Sequence, residues 1–377
     1  MASATHTAAG KRGLDEKLMA EAKTARMSEL GPTAAAKQME EALQRQAKEW
    51  APPSDLDKIP KAEEDELPAL DLGPYLNALA ADEDAGVERA RLAAILKQCG
   101  ERIGFCSVVH HGVSENLLER VLAATREFHA LPQNVKLKYE MDQDGRSGVG
   151  YLKTKNFKLP AREKANMNEC FIVKRELGPR NITLDSMPWP AAEADYLFDA
   201  TKFRLVVMEC IQALERLALI LIPIYAEALG LPPDYFDEAF KSPLIRFRLS
   251  HYPPTPPTEF GINPHVDTSF FTILATSGPG LVFHSSSRNR WVQVPYFQDR
   301  LVVNTGQLLA QATNDRWVAT KHYAVNGRDE DRYSLPFFFN ATASYKMAVV
   351  PTCVSETEPA KYSPISYLEG QGVAQGE

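Results

Sequence analysis

From Ser242 onward the sequence breaks into short strand-like runs, at 245–252, 263–275, 280–284, 290–294, 300–304, 320–325, 332–340 and 346–350. Pro- and Gly-rich turns separate them. Many short strands with this punctuation predict a sandwich or barrel of the jelly-roll type. Such a barrel leaves a lumen between its sheets in which polar side chains can gather. The run Ile245-Arg-Phe-Arg-Leu-Ser-His-Tyr252 alternates cleanly, so Ile245, Phe247 and Leu249 share one face and Arg246, Arg248, Ser250 and Tyr252 the other. Taken alone, a face with two arginines and a tyrosine is either solvated or the wall of an anion-binding lumen.

The first half is of a different kind. Leu67–Leu72 reads as a short strand and Val87–Ile103 as a helix ending at Gly104. Phe105–Val109 reads as a strand closed by His110-His-Gly112, and Asn116–His129 as a second helix. Residues 143–190 are less regular, with Gly145, Gly148 and Gly150, then Lys153, Lys155, Lys158 and Arg162, then a strand at Glu169–Lys174. Thr201–Leu229 is the longest helical stretch, which Pro223 should kink or end. Leu231–Lys241 reads as a turn and a short helix. No Gly-rich phosphate loop follows a strand, so nucleotide-binding α/β folds have no support. The expected fold class is α+β: a jelly-roll core with flanking helices and an N-terminal helical extension. Residues 1–63, rich in Ala, Lys and Glu, form that extension, partly helical or disordered. Lys37–Trp50 is its amphipathic stretch, broken by Pro52, Pro53 and Pro60. Residues 64–190 and 191–355 then form an N-terminal domain and the catalytic core, and 356–377 a tail.

Composition narrows the function. Of the 377 residues 44% are hydrophobic and 24% charged, enough for a sizeable core. A net charge of −7 argues against a phosphate-driven nucleic-acid binder. The five cysteines are scattered without a CxxC pair, which disfavours structural zinc and a disulfide framework and fits reduced thiols inside a cell. Leu217–Ala228, the most apolar run, carries Pro223 and Glu227 and is too short to span a bilayer. The start of the chain lacks a signal-peptide core and holds Asp15, Glu16 and Glu21. A cytoplasmic protein is expected, a monomer or weak homo-oligomer, with a small molecule rather than nucleic acid or membrane as its partner.

The chemistry gathers around Asn263-Pro-His-Val-Asp-Thr268. His265 and Asp267 are one residue apart, so on a strand both side chains leave one face. A second histidine from a distant strand completes a two-histidine, one-carboxylate set, which leaves coordination positions open and points to a non-haem iron(II) oxygenase. His322 lies 55 residues beyond Asp267, and Arg332-Tyr-Ser334 begins ten residues after that. An arginine fork and a hydroxyl from one strand face can grip a carboxylate. The remaining histidines read as structural: His6 in the tail, His110 and His111 in turn hydrogen bonds, His129 at a helix end. His284, in a hairpin, is the competitor for the third ligand.

In order and spacing these pieces resemble the isopenicillin N synthase-like group of iron(II)- and 2-oxoglutarate-dependent oxygenases. The likeness runs from about Glu66 to Pro351. Leu67-Pro-Ala-Leu-Asp-Leu72, Gly104–Gly112 and Phe128-His-Ala-Leu-Pro132 look like that family's opening domain. His251-Tyr-Pro-Pro254, Pro264-His-Val-Asp267, Val302-Val-Asn-Thr-Gly306, His322 and Arg332-Tyr-Ser334 look like its catalytic core. The resemblance implies a double-stranded β-helix with His265, Asp267 and His322 as iron ligands. It implies that 2-oxoglutarate chelates the metal while Arg332, Ser334 and Tyr252 hold its distal carboxylate, with Arg248 near that pocket. It also moves the arginine face of 245–252 from solvent into the lumen. Gln307 stands where the family often has Asp, and Tyr323 where it often has Arg. Pro336 inside the RxS strand suggests an edge or a bulge. The presence of Asp267 disfavours the halogenase variant.

The implied reaction activates O2 at the metal by oxidative decarboxylation of 2-oxoglutarate, giving succinate and CO2, and the oxidised metal then takes hydrogen from a substrate C–H bond. Hydroxylation, desaturation and ring closure all fit, and a role in secondary metabolism is expected. Tyr151, Lys153, Asn168, Arg246, Thr268 and Phe338 are candidates to bind the substrate, and their Lys and Arg suggest an acidic small molecule. The competing readings are an iron oxidase of the same fold that uses no 2-oxoglutarate, and a non-catalytic jelly-roll binding protein.

Overall fold

A computed structural model describes residues 52–141, 148–155, 165–177, 181–192, 196–327 and 329–369. The helix expected over Lys37–Trp50, together with Gly145, Lys158, Arg162 and the last residues of the tail, lies outside them. In chain order the elements are β1 (Ala69–Asp71), α1 (Gly73–Ala80), α2 (Gly86–Arg102), β2 (Phe105–Val109), α3 (Glu115–His129), α4 (Gln133–Lys136), β3 (Gly150–Leu152), β4 (Glu169–Arg175) and α5 (Ala200–Ala228). The strand-rich half follows: β5 (Pro243–Tyr252), β6 (Ile262–His265), β7 (Phe271–Thr276), β8 (Leu281–Ser285), β9 (Arg290–Gln293) and β10 (Leu301–Thr305). After α6 (Gln307–Ala312) come β11 (His322–Ala324), β12 (Arg332–Thr342), β13 (Lys346–Met347) and β14 (Ile365–Ser366).

Eight strands form the major sheet in the order β1-β2-β10-β7-β12-β5-β4-β3, and four form the minor sheet, β6-β11-β8-β9. This is the expected jelly-roll core with helices against the outer face of the major sheet. The alternation in β5 decides which side is which. Its Phe247 and Leu249 are fully buried on the outer face. There an aromatic cluster joins α3, β4 and α5, with ring centroids of Phe128–Phe171 at 5.0 Å, Phe128–Phe203 at 5.4 Å and Phe171–Phe203 at 5.8 Å. The other face of β5 lines the lumen. Phe105 of β2 stacks on Phe283 of β8 at 4.8 Å, tying the sheets together beside His322.

Four details differ from the sequence reading. The run 263–275 is two strands in two sheets: β6 belongs to the minor sheet, β7 to the major one, and the chain crosses between them at residues 266–270. β12 lies inside the major sheet, paired on both sides, and Pro336 sits opposite Leu274 of β7. Its missing N–H forfeits one ladder bond while its ring lines the cavity. Pro223 does not end α5. The carbonyl that loses its donor belongs to Leu219, which is 41% exposed, so water can replace the bond. Residues 232–240 form hydrogen-bonded turns rather than a short helix, with Tyr235 N–H on Pro232 and Asp237 N–H on Asp234.

The end of the expected extension is part of the core. Ile59 packs with Val282, Trp291, Tyr323 and Val325, and Gln293 donates to the carbonyls of Leu56 and Ile59. The Tyr323 hydroxyl donates to the Pro53 carbonyl. The tyrosine that departs from the family pattern is thus an anchor for this strap.

Candidate active site

His265 closes β6 and His322 opens β11, and the two face each other in the register of the minor sheet. Asp267 lies just past the end of β6, where the chain leaves for the major sheet, so its shared face with His265 owes nothing to strand alternation. Its Oδ2 accepts from the Thr272 hydroxyl of β7 at 2.7 Å and the Asn304 amide of β10 at 2.9 Å. Ser269 in turn sits 3.0 Å from the Thr272 hydroxyl. These bonds leave Oδ1 pointing at the two imidazoles, 3.5 Å from His265 Nε2 and 3.6 Å from His322 Nε2.

The tautomers are set by the backbone. His265 Nδ1 lies 2.8 Å from the Asn263 carbonyl and His322 Nδ1 2.9 Å from that of Thr320. Each Nδ1 must carry the proton, so both Nε2 lone pairs face Oδ1. Burial holds the His322 pKa down at about 4, so the ring is neutral near pH 7. Burial pushes the Asp267 carboxyl up, but His322, His265 and Asn304 outweigh it and keep the group ionised. Two imidazoles and one carboxylate, with ligand atoms within 4.8 Å of one another, can hold a divalent cation.

Beside this set the lumen continues as a cavity lined by Ile262, Leu274, Leu281, Tyr252, Arg332 and Ser334 among others. Arg332 lies opposite Tyr252 across β12 and β5, its guanidinium 4.8 Å from that ring's centroid. Its Nε donates to the Gly278 carbonyl at 3.3 Å, while its buried Nη1 has no partner. The Ser334 hydroxyl donates to that of Tyr252 at 3.4 Å. A buried cation with an unused donor, flanked by two hydroxyls, suits a carboxylate.

The structure brings together His265, Asp267, His322, Arg332, Ser334, Tyr252, Arg248 and Phe338 around this cavity. Arg246 follows on the same strand face, and Thr268 adjoins Asp267 with its side chain bonded to Tyr367. Three other candidates lie elsewhere. Tyr151 pairs with Phe171 on the outer face, packs on Phe128 and donates to Glu169 and Gln133. Lys153 forms an ion pair with Glu140 at 2.8 Å. Asn168 is buried with its N–H on the Gly261 carbonyl. The sequence reading missed Thr272, Asn304 as the holder of Asp267, and Asn166, whose side chain accepts from Asn263 at 2.9 and 2.7 Å and steadies β6. His284 does not compete, since it meets Trp291 edge-on in the β8–β9 hairpin.

A second set of two histidines and a carboxylate, His129, Glu169 and His251, lies on the outer face. Burial pushes the Glu169 carboxyl up, but hydrogen bonds from His129, His251 and Tyr151 hold it well below the usual range. The Lys136 ammonium, itself buried, donates to both Glu169 oxygens at 3.0 and 2.9 Å.

Comparison with known proteins agrees with this geometry. Residues 67–192 match the family described as non-haem dioxygenase in morphine synthesis N-terminal, and residues 244–341 match the 2OG-Fe(II) oxygenase superfamily. A 2-oxoglutarate-Fe(II) type oxidoreductase of Emericella nidulans is 28% identical over 312 residues, 79% of this chain and 86% of its own. A 2-oxoglutarate-dependent dioxygenase of Monascus ruber is 29% identical over 297 residues, 74% of this chain and 86% of its own. The fold is similar to that of a full-length Neurospora crassa protein crystallised with alpha-KG and thymine, with a TM-score of 0.71 at 22% identity over 84% of this chain and 99% of that one. It is also similar to a rice dioxygenase for auxin oxidation, with a TM-score of 0.63 at 23% identity over 82% and 94%.

Proposed function

The chain belongs to the 2-oxoglutarate/iron(II) oxygenase superfamily and is an oxidoreductase acting on small molecules with both as cofactors, and from that footing we propose which residues do the work. His265, Asp267 and His322 hold the iron. Arg332, Ser334 and Tyr252 hold the distal carboxylate of 2-oxoglutarate. The observation that carries this reading is the convergence of both Nε2 atoms on Asp267 Oδ1, with each Nδ1 tied to a carbonyl. The unpartnered Arg332 Nη1 supports the co-substrate seat.

When bound, iron and 2-oxoglutarate supply the oxidising power, with succinate and CO2 as co-products. The protein's own contribution is positional. Thr272 and Asn304 fix the carboxylate ligand, and the two backbone carbonyls fix the rings. Ile262, Leu274 and Leu281 exclude water from the space beside the metal set. The substrate is a small carboxylate-bearing metabolite whose unactivated C–H bond is hydroxylated, desaturated or closed into a ring. Arg246 and Arg248 on the lumen face support that class.

The test is succinate formation from 2-oxoglutarate under Fe(II), paired with anaerobic iron binding. The wild type should need the metal, and His265→Ala and Asp267→Ala should lose both iron and turnover. Normal iron content and turnover in those variants would show the triad to be wrong. On thermal unfolding they should stay folded, because each removes a group from the cavity rather than from the packed outer face.

A further inference from the structure

Arg246 and Arg248 leave the same face of β5 as Tyr252, yet they stand apart from the co-substrate seat. In the sheet register Ser250 lies opposite Ser334, and Arg246 opposite Phe338. Each step of two residues advances roughly 7 Å along the strand. Arg248 is therefore one step, and Arg246 two steps, beyond the Ser250–Ser334 row. Phe338 in turn lies opposite Thr272, the residue that holds Asp267. Arg246 is thus level with the metal set, not with Arg332. Arg248 leans the same way, its guanidinium 5.4 Å from the centroid of the Phe338 ring.

Neither arginine has a counter-ion among the described residues. The Nε atoms of both are buried without a hydrogen-bond partner. Burial and the repulsion of Arg248 hold the Arg246 pKa down at about 10. The facing cation on β4, Lys174, is committed to Glu176 at 2.6 Å. The C-terminal segment completes the wall. Tyr367, which follows β14, is buried and shares a hydrogen bond with the Thr268 side chain, within electrostatic reach of both arginines and Asp267. Two guanidinium groups held together without an anion leave the pocket short of one negative charge.

We propose that Arg246, Arg248 and the Tyr367 hydroxyl form the seat for the carboxylate of the primary substrate, level with the iron and separate from the 2-oxoglutarate seat. The proposal rests on the iron and co-substrate assignment above and moves Arg248 from the co-substrate to the substrate. Phe338, in register with Arg246 and with its ring against Arg248, offers a surface on which an apolar body can lie. The substrate is then an apolar carboxylic acid oxidised a short distance from its carboxylate.

The experiment uses the full chain, anaerobic and loaded with Fe(II) and 2-oxoglutarate. Calorimetry measures binding of benzoate and phenylacetate against benzamide and phenylacetamide, which have the same shape without the charge. The acids should bind at least about tenfold more tightly than the amides. Arg246→Gln and Arg248→Gln should each lower acid affinity about tenfold or more, and Tyr367→Phe about threefold. Affinity for 2-oxoglutarate, titrated separately, should change less than about twofold. Because Arg246 stands beside Arg248 without a counter-ion, Arg246→Gln should also raise Tm by about 2–4 °C, whereas loss of a purely structural arginine would lower it. Equal binding of acids and amides, no acid binding by the wild type, unaltered acid affinity in the variants, or a fall in Tm would overturn the proposal. A tenfold loss of 2-oxoglutarate affinity in Arg248→Gln would return that residue to the co-substrate. Failure of the wild type to bind 2-oxoglutarate at all would instead remove the iron reading, and this proposal with it.

Discussion

Thr272 offers the sharpest probe of how the metal set is held. Its hydroxyl donates to Asp267 Oδ2 at 2.7 Å and is itself 3.0 Å from Ser269 Oγ. Thr272→Val keeps the shape of the side chain and deletes only this donor. Oδ2 then keeps the Asn304 amide at 2.9 Å, and the carboxylate is free to rotate, so Oδ1 no longer points at both Nε2 atoms. A hydrogen bond to a charged group contributes about 1.5–3 kcal/mol. Part of that loss falls on the metal-free protein, which uses the same bond. The rest should appear as weaker metal binding by about 10–100-fold, the range found when a partner of a ligating carboxylate is removed. That range is about 1.4–2.8 kcal/mol, consistent with one charged hydrogen bond. The assay is anaerobic titration with Fe(II) or Co(II), with 2-oxoglutarate affinity for the metal-loaded protein measured in parallel. Unchanged metal affinity in a folded Thr272→Val protein would refute the idea that this hydroxyl aims the ligand. Thr272→Val combined with Asn304→Leu should lose less than the sum of the single losses, because both act on one oxygen.

Three further outcomes are expected. Arg332→Ala should raise the 2-oxoglutarate concentration needed for half-maximal succinate formation by about 10–100-fold, with Arg332→Lys between it and the wild type, since an ammonium keeps the charge but not the fork; equal dependence in all three would remove Arg332 from the co-substrate seat. Gly306→Ala should lose both stability and metal binding, because its Cβ would stand 1.8 Å from the Ser269 carbonyl oxygen and displace the crossing that carries Asp267; a folded variant with normal metal affinity would contradict this. For His251, burial pulls the pKa down, but hydrogen bonds to Glu169 and Asp331 outweigh it and leave it raised. Such a group gives stability that is full below its unfolded pKa of about 6.5 and is lost as pH climbs through the folded value. The Tm advantage of the wild type over His251→Gln should therefore shrink as pH rises above about 6.5, and a gap that widens would refute the assignment.

The set proposed to hold the metal stood out in the sequence because an HxD pair and a distant histidine are chemically distinctive, whereas the groups that support it were not legible. His265, Asp267 and His322 announced themselves by type, and the arginine face of 245–252 by parity. Parity cannot say which face of a sheet is inside, however. Tyr151 belongs to the same sheet as Tyr252 but points at the helices, and only the packing of Phe128 and Phe171 decides that. Nor could a strand reading of 263–275 foresee the crossing at Asp267, because threonines such as Thr272 suit either sheet. Pro336 suggested an edge because the missing N–H was weighed without the cavity its ring lines. Tyr367 was hidden for another reason: it comes from the stretch read as tail, and no local pattern ties a distant tyrosine to the Asp267 loop.

The molecule contains two sets of two histidines and one carboxylate among its described residues, and elementary electrostatics separates their roles. In the inner set Asp267 Oδ2 accepts from the uncharged Thr272 hydroxyl and Asn304 amide, and the Nε2 atoms of both histidines are turned toward its other oxygen. In the outer set Glu169 already has a cation, Lys136, on both oxygens, with Tyr151 and His251 as further donors. His129 keeps Nδ1 3.3 Å from Glu169 Oε1 while its Nε2 meets the Leu249 carbonyl at 2.9 Å, one nitrogen toward a carboxylate and one on a carbonyl as in the inner histidines, so the lysine is what differs. A divalent ion placed about 4 Å from that ammonium would meet a repulsion of roughly 8 kcal/mol at an effective dielectric of 20. The lysine therefore takes the place a metal would have in the outer set and turns it into a clamp between α3, α4, β4 and β5. That clamp fixes the strand whose opposite face presents Arg246, Arg248 and Tyr252 to the cavity. One residue, Lys136, thus separates a framework from a proposed metal site built, like it, of two histidines and a carboxylate.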